Sequence, residues 1–480
     1  MKNVLEWLEA TVEKYPDKPA FSDTESSITF RQVYDIARNT GAYLVEQLGV
    51  DRTPVAVFAG RKMVTPAYFL GVVYAGRPYA PIDASLPDKR IEKIFENLCP
   101  GAIVADRESR EHVESIVDEL AKAEGFDRPQ IFIAEDISRF EQVACADSNC
   151  KISESAGDAV TDSENDTDGG VVAGCAGKTD DSSRDMLAVV RRQMSMTDPL
   201  YIIYTSGSTG NPKGVMTSHL SLMTYINAYC DVMHIEESDV LGNQSPLDYI
   251  AAIRDIYLPL KTGCSTAIIP KEYFMEPNAL FDYMNDKKVS SVGWSVSAFT
   301  ILTSLGAFEE VGLKSLRKIC FSGSVMPCRV LRKWQENLPE AHFVNQYGPT
   351  EATASCTYYS VDHLVEEDEV LPIGKAYDNY RVFLIDEHGN DPAVGEQGEI
   401  CVCGPILALG YYNDPERTAA AFTLNPLNRA YPERMYRTGD YGRLDEAGIL
   451  HFCGRMDRQI KHMGHRVELD EVEHAANVVD

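Results

Sequence analysis

The fold class read from the chain is α/β: two α/β lobes followed by a barrel-like portion rich in strands. Three observations lead there. Short apolar runs alternate with helical patterns over the first 345 residues, strands and turns become closely spaced after residue 370, and 480 residues are too many for one ordinary core. Hydrophobic residues make up 44% and charged residues 25%, the balance of a globular protein and not of a disordered one.

The chain opens with Met-Lys-Asn-Val-Leu-Glu-Trp-Leu-Glu-Ala, where Glu6 and Glu9 interrupt the apolar residues. That spacing predicts an amphipathic helix, and the absence of a small-residue cleavage site argues against an export signal, so a cytoplasmic location is expected. Apolar runs at 54–60, 102–105 and 130–134, with a helical pattern at 86–98, predict a first parallel sheet with crossover helices. Residues 144–186 are rich in Ser, Asp, Gly and Ala and read as a disordered acidic insertion, because they cannot bury enough apolar surface to offset ordering. A second series of runs at 201–204, 238–242, 264–269, 289–294, 317–321 and 342–345 predicts another α/β lobe in tandem with the first. Beyond 370, segments such as Arg381-Val-Phe-Leu-Ile-Asp386 and Gly398-Glu-Ile-Cys-Val-Cys-Gly404 read as antiparallel strands. Residues 458–480 begin a further unit too short to stand alone.

A formal net charge of −28 excludes nucleic acid as an expected partner, and no stretch approaches the roughly 20 apolar residues that span a bilayer. The 12 cysteines show no Cys-x-x-Cys pairing, and Cys401 and Cys403 alternate as on one strand face, so they read as reduced and structural, with no metal site among them.

Residues 201–214 read Tyr-Ile-Ile-Tyr-Thr-Ser-Gly-Ser-Thr-Gly-Asn-Pro-Lys-Gly. Gly207 and Gly210 let backbone N–H groups converge on an anion, Thr205, Ser206, Ser208 and Thr209 add hydroxyl donors, and Lys213 adds charge. Gly214 follows the lysine, so this is not the common P-loop, which needs Lys-Ser or Lys-Thr. A plain surface turn is the alternative; the apolar run before the loop and the lysine at its end favour a triphosphate grip.

Four further segments place polar groups between apolar runs: Phe321-Ser-Gly-Ser324, Asn345-Gln-Tyr-Gly-Pro-Thr-Glu351, Tyr436-Arg-Thr-Gly-Asp440 and Gly454-Arg-Met-Asp-Arg-Gln-Ile-Lys461. In order and spacing the five resemble the adenylate-forming, AMP-binding enzymes over nearly the whole chain. Ile28-Thr-Phe-Arg-Gln-Val and Tyr74-Ala-Gly-Arg-Pro-Tyr-Ala-Pro-Ile-Asp83 resemble the amino-acid-activating branch, and within it the D-alanine carrier protein ligases. The resemblance implies a large N-terminal AMP-binding domain over 1–456, with the hinge and start of a small α+β C-terminal domain over 457–480. It implies ATP-dependent activation of a small carboxylic or amino acid as its acyl-adenylate, release of pyrophosphate, and transfer to the phosphopantetheine thiol of a carrier protein.

Residue by residue, the resemblance places the phosphate-loop residues and Lys213 at the β/γ-phosphates, Thr350 at the α-phosphate and Glu351 at Mg²⁺. Tyr347 would stack on adenine, with Gly323, Ser324, Asn345, Gln346 and Gly348 around it, Asp440 at the ribose hydroxyls and Arg455 on the ribose and phosphate side. The acid pocket would comprise Ile250, Ala251, Arg254, Trp294, Cys320, Ser322, Gln346, Ala354 and Ser355.

Two departures stand out. The position that holds the substrate ammonium in amino-acid-activating relatives falls on Ile250, so either the acid has no α-amino group or Asp248 supplies the charge. Arg254 either pairs with a second carboxylate or polar tail of the substrate, or turns to solvent, Asp255 or Asp248. The other departure is at the end, soon after the hinge position Asp457, where no residue matches the adenylating lysine of relatives. Weak or absent adenylation by the 480-residue polypeptide alone is the expectation, with a nucleotide-binding remnant or one subunit of a split enzyme as the alternative.

Overall fold

The computed structural model describes residues 2–123, 125–137, 181–206, 211–456, 459–462 and 465–468. The expected insertion at 144–186 lies outside these residues as far as 180. Its last six residues open the helix Asp181–Gln193, which corrects that boundary. The reason is packing: Leu187 and Val190 are buried in the main core.

One seven-stranded sheet has the spatial order Gln130–Ile133, Ala102–Ala105, Val55–Phe58, Tyr79–Ile82, Pro199–Thr205, Lys213–Ser218 and Gly410–Tyr411. Its first five strands run parallel. Every residue of Val55–Phe58, Tyr79–Ile82 and Ala102–Ala105 is buried, as continuous apolar strands covered on both faces should be. The nine-stranded sheet runs Lys375–Ala376, Thr357–Ser360, His342–Tyr347, Lys318–Ser322, Ser291–Ser295, Val240–Asn243, Ser265–Ile268, Pro19–Ser22 and Ser27–Thr29.

The two lobes are present, but the tandem division is not. Pro19–Ser22 and Ser27–Thr29 belong to the second sheet, and Pro199–Thr205 and Lys213–Ser218 belong to the first. The N-terminal helix Leu5–Lys14 carries the early strands across: Thr11 Oγ1 donates to the Leu260 carbonyl at 2.7 Å, on the helix Ile253–Thr262 of the other lobe. Between the lobes' early elements, Thr29 and Gln32 close a reciprocal capping box at the start of the helix Phe30–Leu48, so the Ile28-to-Val33 motif acts here as a helix start.

The third portion is a five-stranded antiparallel sheet built on Arg434–Leu444, which pairs with Gln397–Cys403, Phe422–Leu424 and Leu450–Arg455. Its register breaks between Glu399 and Cys401, which face Tyr441 and Arg437. The bulge leaves Thr438, Gly439 and Asp440 unmatched in that ladder and re-aims them. Cys401 and Cys403 are buried on one face of their strand. A short hairpin, Gln459–His462 with His465–Glu468, follows; Asp457 and 469–480 lie outside the described residues. Among the described residues, no helix is long and apolar enough to cross a membrane.

Candidate active site

The parallel strands of both sheets direct their C-terminal ends toward one region, as ligand sites in open α/β sheets require. Thr205, the last residue of Pro199–Thr205, pairs with Lys213, the first of Lys213–Ser218, so the phosphate loop is the connection of a hairpin. Thr205 and Ser206 are buried, and Thr205 Oγ1 has no hydrogen-bond partner. Gly207, Ser208, Thr209 and Gly210 lie outside the described residues.

Lys213 Nζ lies 2.8 Å from Glu351 Oε1, and Tyr411 Oη donates to the same oxygen at 2.7 Å. Glu351 is fully buried on the one-turn helix Thr350–Ala352. The ammonium also sits over the Tyr411 ring, 5.0 Å from its centroid. Burial and the Glu351 carboxylate push the Tyr411 hydroxyl far above its ordinary value, so it remains a donor.

On the third portion's side, Tyr347 Oη donates to Asp440 Oδ2 at 2.5 Å, while the Arg455 guanidinium bonds Asp440 Oδ1. The bulge described above delivers this carboxylate. Between the two clusters is a cavity of about 100 Å³. Thr350, Tyr347, Gly348, Gly323, Asp440 and Arg455 line one part; Ile250, Ala251, Arg254, Ser322, Ala354 and Ser355 line the other. A Cβ at Gly348 would fall 2.5 Å from Ser355 Cα, so only glycine lets these two walls close on each other. Thr353 and Ala354 both take positive φ, 44° and 74°, an uncommon pair of left-handed non-glycine residues beside a site.

The AMP-binding enzyme family model matches residues 8–412. The chain belongs to the AMP-binding enzyme family. Among relatives of this AMP-binding enzyme, a D-alanine--D-alanyl carrier protein ligase of Bacillus cereus (strain Q1) is 30% identical over 473 residues, covering 98% of this chain and 82% of the relative. One bearing the same name from Bacillus thuringiensis (strain Al Hakam) is 31% identical with the same coverage. Among solved structures, an artificially fused adenylation–PCP di-domain from Klebsiella oxytoca superposes with a TM-score of 0.75 at 19% identity, covering 99% of this chain and 83% of that one. Holo-PA1221, a nonribosomal peptide synthetase protein containing adenylation and PCP domains, gives 0.74 at 24% identity, covering 99% and 72%. At these identities the structural likeness is one of fold.

Several residues expected at the site of this AMP-binding enzyme are elsewhere. Trp294 does not line the cavity: it is buried in an aromatic cluster with Phe274, Phe299 and Trp334, its Nε1 donating to the Gly242 carbonyl at 2.8 Å. Side chains alternate along a strand, so its neighbours face the other way: Ser295 lines the cavity and Gly293 lies against the Arg254 guanidinium. Asp248 lines an adjoining groove of about 1630 Å³ with Asp83 and Arg90, not the cavity holding Ile250. Burial and Asp83 push its carboxyl up to about 6. Ser324 is exposed, outside the cavity lining. Asn345 Nδ2 is tied to the Pro372 carbonyl at 2.8 Å, a supporting role. Gln346 and Cys320 lie behind the cavity wall, Cys320 Sγ and Ser355 Oγ both facing Gln346 Oε1 at 3.5 and 3.4 Å.

Tyr411 was missed by sequence reasoning. Its contact with Glu351 arises because Gly410–Tyr411 pairs with Lys213–Ser218, and no local pattern in Gly410-Tyr-Tyr signals that pairing. Tyr249 and Thr438 also line the cavity; Thr438 lies in the 436–440 segment but was given no role there.

Proposed function

We propose that this AMP-binding enzyme joins the carboxylate of a small acid to the α-phosphorus of ATP and then passes the acyl group to the phosphopantetheine thiol of a carrier protein. In the first step the new bond is from the carboxylate oxygen to phosphorus, and the bond to the bridging oxygen of pyrophosphate breaks. The observation that carries the reading is the buried triad of Lys213, Glu351 and Tyr411 at the mouth of the phosphate loop, beside a cavity with Thr350 on its wall.

In this reading Lys213 stabilises negative charge on the leaving pyrophosphate, and the orphaned Thr205 hydroxyl finds an acceptor in a phosphate oxygen. Thr350 donates toward the α-phosphate. Tyr347 lends its ring to adenine, and Asp440, already aimed by Tyr347 and Arg455, accepts from the ribose hydroxyls.

Among the described residues, no group of three or more His, Cys, Asp or Glu side chains is arranged to hold a metal. One buried carboxylate, Glu351, is nevertheless what Mg²⁺ needs when it arrives on phosphate oxygens and keeps several waters. When bound, Mg²⁺ neutralises charge on the phosphates. The carrier protein as acceptor is supported by the names of the relatives, which are carrier protein ligases, and by the adenylation–PCP arrangement of the solved neighbours.

ATP–pyrophosphate exchange tests the reading. Exchange that depends on an added carboxylic acid and drops at least about 100-fold in Lys213→Met is expected, the scale of losing one preorganised charge at a reacting centre. Acid-dependent exchange unaffected by that substitution would refute the assignment of Lys213.

A further inference from the structure

We infer that the acid this enzyme activates carries a second carboxylate, and that Arg254 is the residue that selects it. The inference rests on the adenylating reading above and names the substrate class for the same cavity.

Arg254 is 2% exposed, yet its side chain lines the cavity. It lies in the first turn of the helix Ile253–Thr262, where the helix dipole disfavours a cation, so its charge does not serve the helix. The surrounding protein fills its donors only in part. Among the described residues the Gly293 carbonyl accepts from Nη2, and Nε has no hydrogen-bond partner. Asp255 Oδ1 stands 3.8 Å from Nε, beyond hydrogen-bond reach, and the other oxygen of that carboxylate is held by Asn243 Nδ2 at 2.8 Å. Asp255 therefore balances charge at a distance and leaves the Nε–H unfilled.

A second buried polar group lies beside it: Tyr225 Oη, which interacts with Arg254 and Ser355, makes no close hydrogen bond of its own. A buried donor such as Arg254 Nε is rarely left unfilled, and a guanidinium fits a planar anion accepting its N–H bonds. The fold also makes room for it: a Cβ at position 293 would overlap the guanidinium, so Gly293 is what allows Arg254 to lie where it does.

Among the described residues that line the cavity, the one carboxylate is already engaged. Ile250 and Ala251 line the cavity beside Arg254, Asp248 faces the adjoining groove, and the carboxylate that does line the cavity, Asp440, is engaged by Tyr347 and Arg455. The cavity thus offers an anionic tail a partner and offers an ammonium none. A neutral side chain, as in alanine, would leave the Arg254 Nε–H desolvated and unpaired, the situation in which sites discriminate most strongly.

The test is acid-dependent ATP–pyrophosphate exchange by the full 480-residue chain with matched pairs: malonate against acetate, succinate against propionate, glutarate against butyrate, and each enantiomer of aspartate against the same enantiomer of alanine. At least one dicarboxylate should exceed its neutral counterpart by about 30-fold or more, and Arg254→Gln should shrink that ratio to within about 3-fold. Preference for the neutral member of every pair, D-alanine included, would overturn the inference while leaving adenylation intact. Calorimetric titration separates the two readings. If no acid supports exchange, dicarboxylate binding that Arg254→Gln abolishes upholds the anion site while adenylation fails; no dicarboxylate binding to the wild-type chain overturns the site. Should Arg254→Gln not fold, Ala251→Asp places a competing carboxylate one turn from Arg254. It should abolish dicarboxylate binding with ATP binding retained, and dicarboxylate binding that survives this change overturns the inference.

Discussion

Replacing Glu351 with Gln removes one charge from a pair that the fold holds out of water. Glu351 is fully buried and the Lys213 side chain is 8% exposed, with 2.8 Å between Nζ and Oε1. At that distance the attraction is about 6 kcal/mol with an effective dielectric of about 20. Desolvation of both ions offsets much of this, so the pair's net contribution is small, but deleting one partner costs about 3–5 kcal/mol because the other stays buried. Glu351→Gln should therefore lose about 3–5 kcal/mol in urea unfolding followed by tryptophan fluorescence, and Lys213→Met a similar amount. The double variant should lose less than the sum, with a coupling of about 2–3 kcal/mol. Additive losses, or a Glu351→Gln variant within about 1 kcal/mol of wild type, would mean that the pair is not formed in solution and would remove the observation on which the phosphate-grip assignment rests.

Asp440→Asn keeps the shape of the ribose-side carboxylate but halves its capacity to accept from Tyr347, Arg455 and two hydroxyls; ATP affinity by calorimetry should fall about 10- to 100-fold. His219 is buried, its Nδ1 accepting from the Val4 N–H at 3.5 Å, and burial pushes its imidazole down to about 4. Its folded form binds the proton less readily than its unfolded form, so this residue withdraws stability as pH falls from about 6.5 to about 4, by up to about 3 kcal/mol. A His219→Gln variant should lose less stability than wild type between pH 7 and pH 5 in urea unfolding. Asp248 has the opposite sign: its carboxyl, raised to about 6 by burial and Asp83, opposes folding once ionised. Asp248→Asn should stabilise the chain by about 1–3 kcal/mol at pH 8, with the gain vanishing below about pH 4.

The parts of this molecule that were legible in the sequence are those with a local physical cause. Strands at 55–58 and 102–105 announce themselves because buried parallel strands are short uninterrupted apolar runs. The segments that approach the cavity could be named because they carry polar residues where apolar ones would otherwise continue. Which strands share a sheet was not legible: Pro19–Ser22 has the pattern of any short strand, and nothing local says that its neighbour is Ser265–Ile268. Trp294 was misplaced for a related reason. The run at 289–294 was found, but one residue of phase decides which face meets the cavity, and Gly293, the residue against Arg254, has no side chain to advertise it. Arg254 was noticed but its burial was not, since an isolated arginine in a sequence carries no sign of whether water reaches it.

The exchange of strands between lobes has a consequence in time. Phe21 finds its sheet partner Thr266 only after the ribosome has added roughly 240 more residues, a delay on the order of 12–50 s at ordinary elongation rates. Over that interval the strand Pro19–Ser22 has an open edge, and the nascent first lobe still lacks Pro199–Thr205. Neither sheet can be completed by residues 2–137 alone, so an interrupted chain leaves two unfinished edges, the form of intermediate most exposed to wrong pairing with its neighbours on a polysome. Expression yield of this enzyme should thus respond to elongation speed and chaperone supply more than its folded stability would suggest.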